Sequence, residues 1–150
     1  MKKNIFTITG STLLAALIVS CAPQAAPATA EPAAAEVALT LSGPATQVSW
    51  SMEDLQGLET IETDYTNKDG ETTTYTGVAF STLLAEAGID SFTSLTLVAA
   101  DEYIADVTAE ELASCPDCIV AFDDDSLRSV MPDLSSKLNV KDLVEIRINQ

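Results

Sequence analysis

The sequence predicts an α+β domain with two or three short helices over residues 37–150. Short β-rich runs recur between turn signals, as the strands of a sheet do. Two capping boxes mark the first turns of short helices, and the last apolar run alternates as a closing strand does. A chain of this length is near the size at which one hydrophobic core suffices, so we expect a single domain.

The first half of the domain is predicted to contain two strands, a helix and a hairpin. The strands "VALTLSG" and "TQVSW" flank a turn at Gly43 and Pro44. Ser51 and Asp54 form the capping-box pattern of a short helix. "TIETDYT" and "ETTTYTG" then flank "NKDG", which indicates a hairpin because Asp and Gly tolerate the positive φ angles of its turn.

The second half is predicted to alternate helices with buried strands. In "AFSTLLAEAGI", Leu83, Leu84 and Ala87 share one helical face, and Gly88 is a natural C-cap. "SLTLVAA" and "CIVAF" indicate buried strands, with "TAEEL" between them as a second capping-box helix. The closing strand lies in "NVKDLVEIRI", and its apolar residues are Val140, Leu143, Val144, Ile146 and Ile148.

The N-terminus predicts export. Lys2 and Lys3 precede a short apolar run that ends in "ALIVSC", the order of an export signal. The run is shorter than the roughly 20 apolar residues that cross a bilayer, so we expect no permanent transmembrane helix. Its ending resembles the bacterial lipoprotein processing box, which implies a signal peptide at 1–20 and lipid on Cys21. The alternative is an ordinary secretory signal with a chance cysteine.

Lipid on Cys21 would place the protein on the extracytoplasmic face of the bacterial cell envelope, with the membrane as its first partner. Residues 21–36 continue as "CAPQAAPATAEPAAAE", which is dominated by alanine and proline and has no aromatic residue. No apolar period in this segment could bury a face. We therefore interpret it as a semi-extended tether between the anchor and the domain.

The charge of the chain restricts its partners. Loss of Lys2 and Lys3 with the signal would leave five basic residues against 23 acidic ones, a net charge of 5 − 23 = −18. Such a surface repels nucleic acid and anionic headgroups, so we expect no nucleic-acid partner. The charge serves solubility at a cell surface or, as the alternative, forms an acidic docking face for a cationic partner.

No residue pattern in the sequence predicts a catalytic or metal site. The chain has no histidine, so a nucleophilic serine or cysteine would need a lysine or carboxylate base, and no pattern provides one. "FDDDS" at 122–126 lacks the alternating acids and glycine of a calcium loop, and we interpret it as a solvated turn. Trp50 is predicted to anchor the core. Three tyrosines are expected to pack one strand face rather than line a ligand cleft: Tyr65, Tyr75 and Tyr103.

Cys115 and Cys118 are separated by two residues, which leaves three interpretations open. A zinc site would need two further ligands. A thioredoxin-type redox pair begins at a helix N-terminus, whereas this pair follows the helix "TAEEL" and lies beside acidic residues, which raise a thiol pKa. Outside the cytoplasm two cysteines this close should be oxidised, so the pattern favours a structural disulfide.

Three stretches, in this order, resemble the oxidoreductase molybdopterin-binding domain, the catalytic fold of sulfite oxidases. They are "TYTGVAFSTLLAEAGI", "VAADEYIADVTAEEL" and "VMPDLSSKLNVKDLVEIRI". The resemblance implies a sulfite-oxidase-like domain of layered β-sheets with a β-grasp-like element over residues 37–150. In members of that family a cysteine thiolate beside the hairpin binds molybdenum, and arginines with a histidine hold the pterin phosphate.

The chain departs from this family pattern where the cofactor would bind. The hairpin stretch "ETDYTNKDGETTTYTG" has no cysteine and one basic residue, Lys68. The domain has only two arginines, Arg128 and Arg147, and the family's "DGY" turn has become Asp101-Glu102-Tyr103. A dianionic phosphate would need cations that this acidic chain does not provide. We therefore expect no molybdopterin cofactor and no cofactor-binding residue.

Two hypotheses for function follow. The first is a non-catalytic binding or accessory module, anchored to the membrane, whose partner is an unidentified protein or small molecule. The second is an oxidoreductase that uses either a molybdopterin cofactor or the pair Cys115 and Cys118. Because a fold by itself does not define a function, the residues of the site must decide between them.

Overall fold

The computed structural model describes residues 36–150. Signal residues 1–20, Cys21 and all of the tether before residue 36 therefore lie outside the described part. The strands are β1 (Val37–Ser42), β2 (Gln47–Ser51), β3 (Thr60–Thr66), β4 (Thr72–Ala79), β5 (Ser94–Ala99), β6 (Ile104–Thr108), β7 (Ile119–Asp123), β8 (Ser126–Val130) and β9 (Leu143–Asn149). The α-helices are α1 (Met52–Gln56), α2 (Phe80–Glu86) and α3 (Ala109–Ala113), and a 3₁₀ helix spans Ser136–Leu138.

Two sheets confirm the predicted α+β class. The first has five strands in the order β2-β1-β9-β5-β6, in which only β1 and β9 run parallel. The second has four antiparallel strands in the order β3-β4-β7-β8. Among residues 36–150, no helix is both long enough and apolar enough to cross a membrane.

One main core is shared by both sheets and the helices. Leu39, Leu97 and Ile146 from the five-stranded sheet are fully buried in it, together with Leu55 of α1 and Leu83 of α2. Trp50 is buried in the same core, as predicted. Burial of such side chains is worth about 1.5–3 kcal/mol each, which explains why short helices of one or two turns persist here.

Both predicted capping boxes are present. Ser51 and Asp54 exchange side-chain to backbone hydrogen bonds at the start of α1, and Thr108 and Glu111 do the same at α3. The hydrogen bonds from the Ser51 side chain and backbone lower the pKa of Asp54. Those from the Thr108 backbone and side chain lower the pKa of Glu111. Each carboxylate therefore satisfies a backbone N–H that a short helix leaves unpaired.

The helix α2 largely follows its predicted pattern. Leu83 and Leu84 are buried with Phe80, whereas Ala87 is only partly buried. Ala87 is the C-cap, and Gly88 follows it with a φ of 69°. The predicted stop at Gly88 is therefore real, with the left-handed residue one position beyond the cap.

Strands β6 and β8 were not among the sequence predictions. β6 buries only Ala105 and Val107 of its five residues, and alanine is a weak β signal. β8 is buried on both faces from Leu127 to Val130, so it lacks alternation. The predicted turn in "FDDDS" is consequently shorter than expected. Only Asp124 and Asp125 lie between β7 and β8, and Asp124 has a φ of 52°.

The closing strand begins later than its apolar pattern indicates. Val140 is buried but precedes β9, which starts at Leu143. The pairing of β9 with β5 shifts register, so that Ala99 faces Leu143 while Val98 faces Glu145. Val144 is displaced by this bulge and becomes exposed, which corrects its predicted place among the alternating core residues.

Candidate functional site

The first candidate site is the face of the four-stranded sheet around the β3–β4 hairpin, because the family resemblance places a cofactor ligand beside this hairpin. Arg128 of β8 lies over the ring of Tyr75 of β4, with its guanidinium carbon 4.7 Å from the ring centroid. Its Nη1 donates to the Tyr75 hydroxyl at 2.9 Å and to the Asp123 carboxylate at 3.2 Å. These contacts combine a cation–π interaction with a charge-assisted hydrogen bond.

An apolar cluster fills the rest of this face. Ile119, Ala121 and Val130 are almost fully buried, and Tyr65 and Tyr75 pack against them. The expectation that these two tyrosines pack one strand face is therefore confirmed. Tyr103 differs, since it lies between β5 and β6, is exposed, and donates its hydroxyl to the Lys137 carbonyl at 3.2 Å.

Gly77 allows the hairpin to approach β7 closely. A Cβ atom at this position would lie 2.2 Å from the Val120 carbonyl oxygen, a distance that no side chain tolerates. Gly77 is the glycine in the "TYTG" stretch that resembles the family. The close approach of the β7 backbone explains why this position requires glycine. This contact seats the hairpin on which Tyr75 reaches Arg128.

The turn at Asp101-Glu102-Tyr103 keeps a glycine-type backbone without the glycine. Glu102 has a φ of 68°, in the left-handed region. Its N–H donates to the Ala99 carbonyl, and the N–H of Tyr103 donates to the Asp101 side chain, both at 3.0 Å. Ala99 in turn donates to the Tyr103 carbonyl at 2.9 Å. The turn thus has a left-handed residue where glycine is favoured, and Glu102 bears the strain that glycine would avoid.

The residues around the hairpin do not fit a pterin cofactor. Neither β3 nor β4 carries a thiol to bind molybdenum. Arg128 is 9% exposed and already engaged by Tyr75 and Asp123. Arg147 is paired with Glu145 at 2.8 Å, and this contact, with that from Ser42, lowers the pKa of the Glu145 carboxyl. Each arginine therefore pairs with a carboxylate of the chain itself, although the Nε of Arg128 is buried without a hydrogen-bond partner.

The second candidate site is the pair Cys115 and Cys118. Their sulfur atoms are 2.03 Å apart, the distance of a disulfide, and their Cα atoms are 5.4 Å apart. The pair follows the C-cap of α3, Ser114, as predicted. Within the described chain no group of three or more histidine, cysteine and acidic side chains is arranged to hold a metal ion.

The loop that carries the cysteines is attached on both sides. The N–H of Phe80 at the start of α2 donates to the Cys118 carbonyl at 3.1 Å. The Thr63 hydroxyl of β3 donates to the Asp117 carbonyl at 2.8 Å. Cys115 and Cys118 are 5% and 1% exposed, so the loop offers little sulfur surface to solvent.

An open depression of about 340 Å³ lies next to this loop. Its walls come from α2, α3 and the cysteine loop, and they include Phe80, Leu84, Phe92, Leu112, Pro116 and both cysteines. Sequence reasoning did not find this depression, because its residues come from segments that only the tertiary fold brings together. Its walls can hold an apolar group next to the disulfide.

Comparisons with known proteins support the fold. No family model matches the chain, and no curated protein matches it in sequence. Among solved structures, the sulfane dehydrogenase SoxCD from Paracoccus pantotrophus matches with a TM-score of 0.61 at 20% identity. The match covers 74% of this chain and 37% of that chain, so this chain spans less than half of its neighbour. The match therefore shows that this chain shares the fold of the matched part of that dehydrogenase.

Proposed function

We propose that this protein is a membrane-anchored extracytoplasmic lipoprotein whose molybdopterin-oxidoreductase-like domain is a non-catalytic binding or accessory module. Lipid on Cys21 would anchor it, and the segment 21–36 would hold the domain away from the membrane. The fold is compatible with either an enzyme or a binding module, since one fold hosts many functions. The proposal therefore depends on the residues of the candidate site.

The observation that carries the proposal is the environment of Arg128. A pterin phosphate needs a free guanidinium, but the Nη1 of Arg128 donates to both Tyr75 and Asp123. A phosphate would have to displace both of these partners in order to pair with Nη1. The strong net negative charge of the chain opposes a dianionic ligand further.

Metal and pterin analysis of protein purified from its native host tests this proposal. We expect neither molybdenum nor pterin in stoichiometric amount. An established molybdopterin enzyme, purified in parallel from the same extract, controls for loss of cofactor during handling. A stoichiometric molybdenum signal in this protein would overturn the proposal and favour an oxidoreductase.

The anchor has its own test, a Cys21→Ala variant. We expect this variant to leave the membrane fraction or to accumulate unprocessed. The double variant Cys115→Ser with Cys118→Ser is the matched control, because it retains Cys21 and should remain in the membrane fraction. Recovery of the Cys21→Ala protein with membranes at its mature size would exclude lipid on Cys21 as the anchor.

The second candidate function is electron exchange through Cys115 and Cys118. The observation in its favour is that both cysteines line the apolar depression, where a partner group could approach. The position of the pair after the C-terminus of α3 opposes it, because that end of a helix disfavours a thiolate. A reduction potential as oxidising as the roughly −120 mV of a dedicated dithiol oxidase would support this second function over a structural disulfide.

A further inference from the structure

The edge strand β6 carries an unpaired row of backbone groups. It ends the five-stranded sheet and pairs on one side with β5. In the described chain, no backbone hydrogen bond outside this ladder involves residues 104–107. Such an edge is a template for another extended segment, which can continue the sheet about 4.8 Å away.

A depression lies beside β6. It has a volume of about 330 Å³ and lies between Tyr103, Ile104 and Asp106 and the 3₁₀ helix that contributes Lys137 and Leu138. The hydrogen bond from the Tyr103 hydroxyl to the Lys137 carbonyl joins two residues that line this depression. The slot is thus part of the folded domain.

The exposed side chains distinguish β6 from the other edge strands. Ile104 of β6 and Tyr103, which directly precedes it, are 51% and 44% exposed, and they make up half of the large hydrophobic residues exposed in the described chain. The edge strands β2 and β3 expose only polar or charged side chains, while β8 is covered because Ser129 donates to the Val140 carbonyl. β6 therefore combines an open edge with apolar surface.

The negative charge around β6 favours a cationic partner. Asp106 projects from the exposed face of β6, and Glu111 lines the same depression, which contains one lysine, Lys137. A second copy of this strongly acidic chain would bring carboxylate against carboxylate, which destabilises a strand pair. A cationic segment converts the same repulsion into attraction.

We propose that β6 is a docking edge for an extended, cationic segment of a partner protein, which adds to the five-stranded sheet by β-strand addition. This inference rests on the proposed function and specifies its partner class. The added strand places apolar side chains beside Ile104 and a lysine or arginine beside Asp106, since alternate residues of paired strands share a face.

Titration with a synthetic peptide tests the docking edge. In this peptide lysine and valine alternate at every second position, with threonine between them, so that it can form a cationic strand. We expect salt-dependent binding and slowed amide hydrogen exchange at residues 104–108. Two control peptides should not bind: one with glutamate in place of every lysine, and one with a central proline, which cannot complete the backbone ladder.

Matched variants test the position. Asp106→Asn should weaken binding of the cationic peptide by about two- to fivefold, the range of one exposed ion pair. Asp64→Asn on the edge strand β3 is the matched control, because it removes the same charge. Asp64 and Asp106 also each accept a hydrogen bond from a threonine of the neighbouring strand, so the two variants lose the same kind of contact. Asp64→Asn should leave binding unchanged.

A second pair of variants tests the docking edge without changing Asp106. Ile104→Lys should abolish binding, whereas Gln47→Lys, which adds the same charge to the edge strand β2, should not. Exchange protection at β2 or β3 instead of β6, equal binding of the proline peptide, or self-association through β6 would each overturn the inference. These outcomes are independent of the molybdenum analysis, so failure of the docking edge and failure of the non-catalytic function can be distinguished.

Discussion

The guanidinium of Arg128 lies over the ring of Tyr75, with Nη1 2.9 Å from the phenol oxygen, although the two residues are 53 positions apart. Tyr75 of this pair belongs to the β3–β4 hairpin, beside which the family resemblance implies a cofactor ligand. The same contact occupies Nη1 of the arginine, which would otherwise be available to an anion. The interaction is structural, and its removal should therefore appear in stability.

Tyr75→Phe removes the hydrogen bond and keeps the ring under Arg128. We expect a loss of about 1 kcal/mol in the free energy of unfolding, and a larger loss for Tyr75→Leu, which removes the cation–π contact as well. Urea unfolding measures both. Tyr65→Phe on the neighbouring strand is the control, and equal destabilisation by Tyr65→Phe and Tyr75→Phe would argue against this contact.

Glu102→Gly should stabilise the protein by about 0.5–1 kcal/mol. Glycine removes the strain of the left-handed backbone, and its greater flexibility in the unfolded chain offsets part of that gain. Glu110→Gly removes the same charge from a helical position of α3 and should instead destabilise by about 1 kcal/mol. Thermal unfolding compares the two. Destabilisation by Glu102→Gly would show that its side chain contributes more than its backbone strain costs.

The double variant Cys115→Ser with Cys118→Ser should lose at most about 2 kcal/mol. The loop between the cysteines is very short, and disulfide stabilisation grows with the logarithm of loop length. Thiol trapping and mass spectrometry of protein from the native envelope should find the bond formed. Two free thiols in that sample would contradict the structural disulfide.

Glu111 should make stability depend on acidic pH. Its folded-state pKa lies below the ordinary value of 4.5, so its contribution is fully present above that pH and is lost as pH falls through the lowered pKa. Glu111→Gln should therefore flatten the fall in stability below about pH 5 relative to the parent. Glu110→Gln removes the same charge without breaking the capping box, and an equal flattening by both variants would refute the assignment.

Short-range features were accessible from the sequence. Ser51 with Asp54 and Thr108 with Glu111 could be predicted because the partners of a capping box are three residues apart and need no tertiary contact. The same holds for the cysteine pair after α3 and for the hairpin at "NKDG", whose Gly70 has a φ of 83°. The acidic surplus and the N-terminal processing pattern are likewise properties of the chain itself.

Long-range features were decided only by the tertiary structure. The contact of Arg128 with Tyr75, the bulge that exposes Val144, and the position of β6 at a sheet edge all depend on which strands pair and in what register. Register is set by the burial of whole strand faces, to which distant segments contribute, and local propensity does not encode it. The sequence by itself determined the net charge, the helix caps and the cysteine pair. The position of β6 at the end of a sheet was decided by the tertiary structure, because it depends on how all nine strands pair in the two sheets.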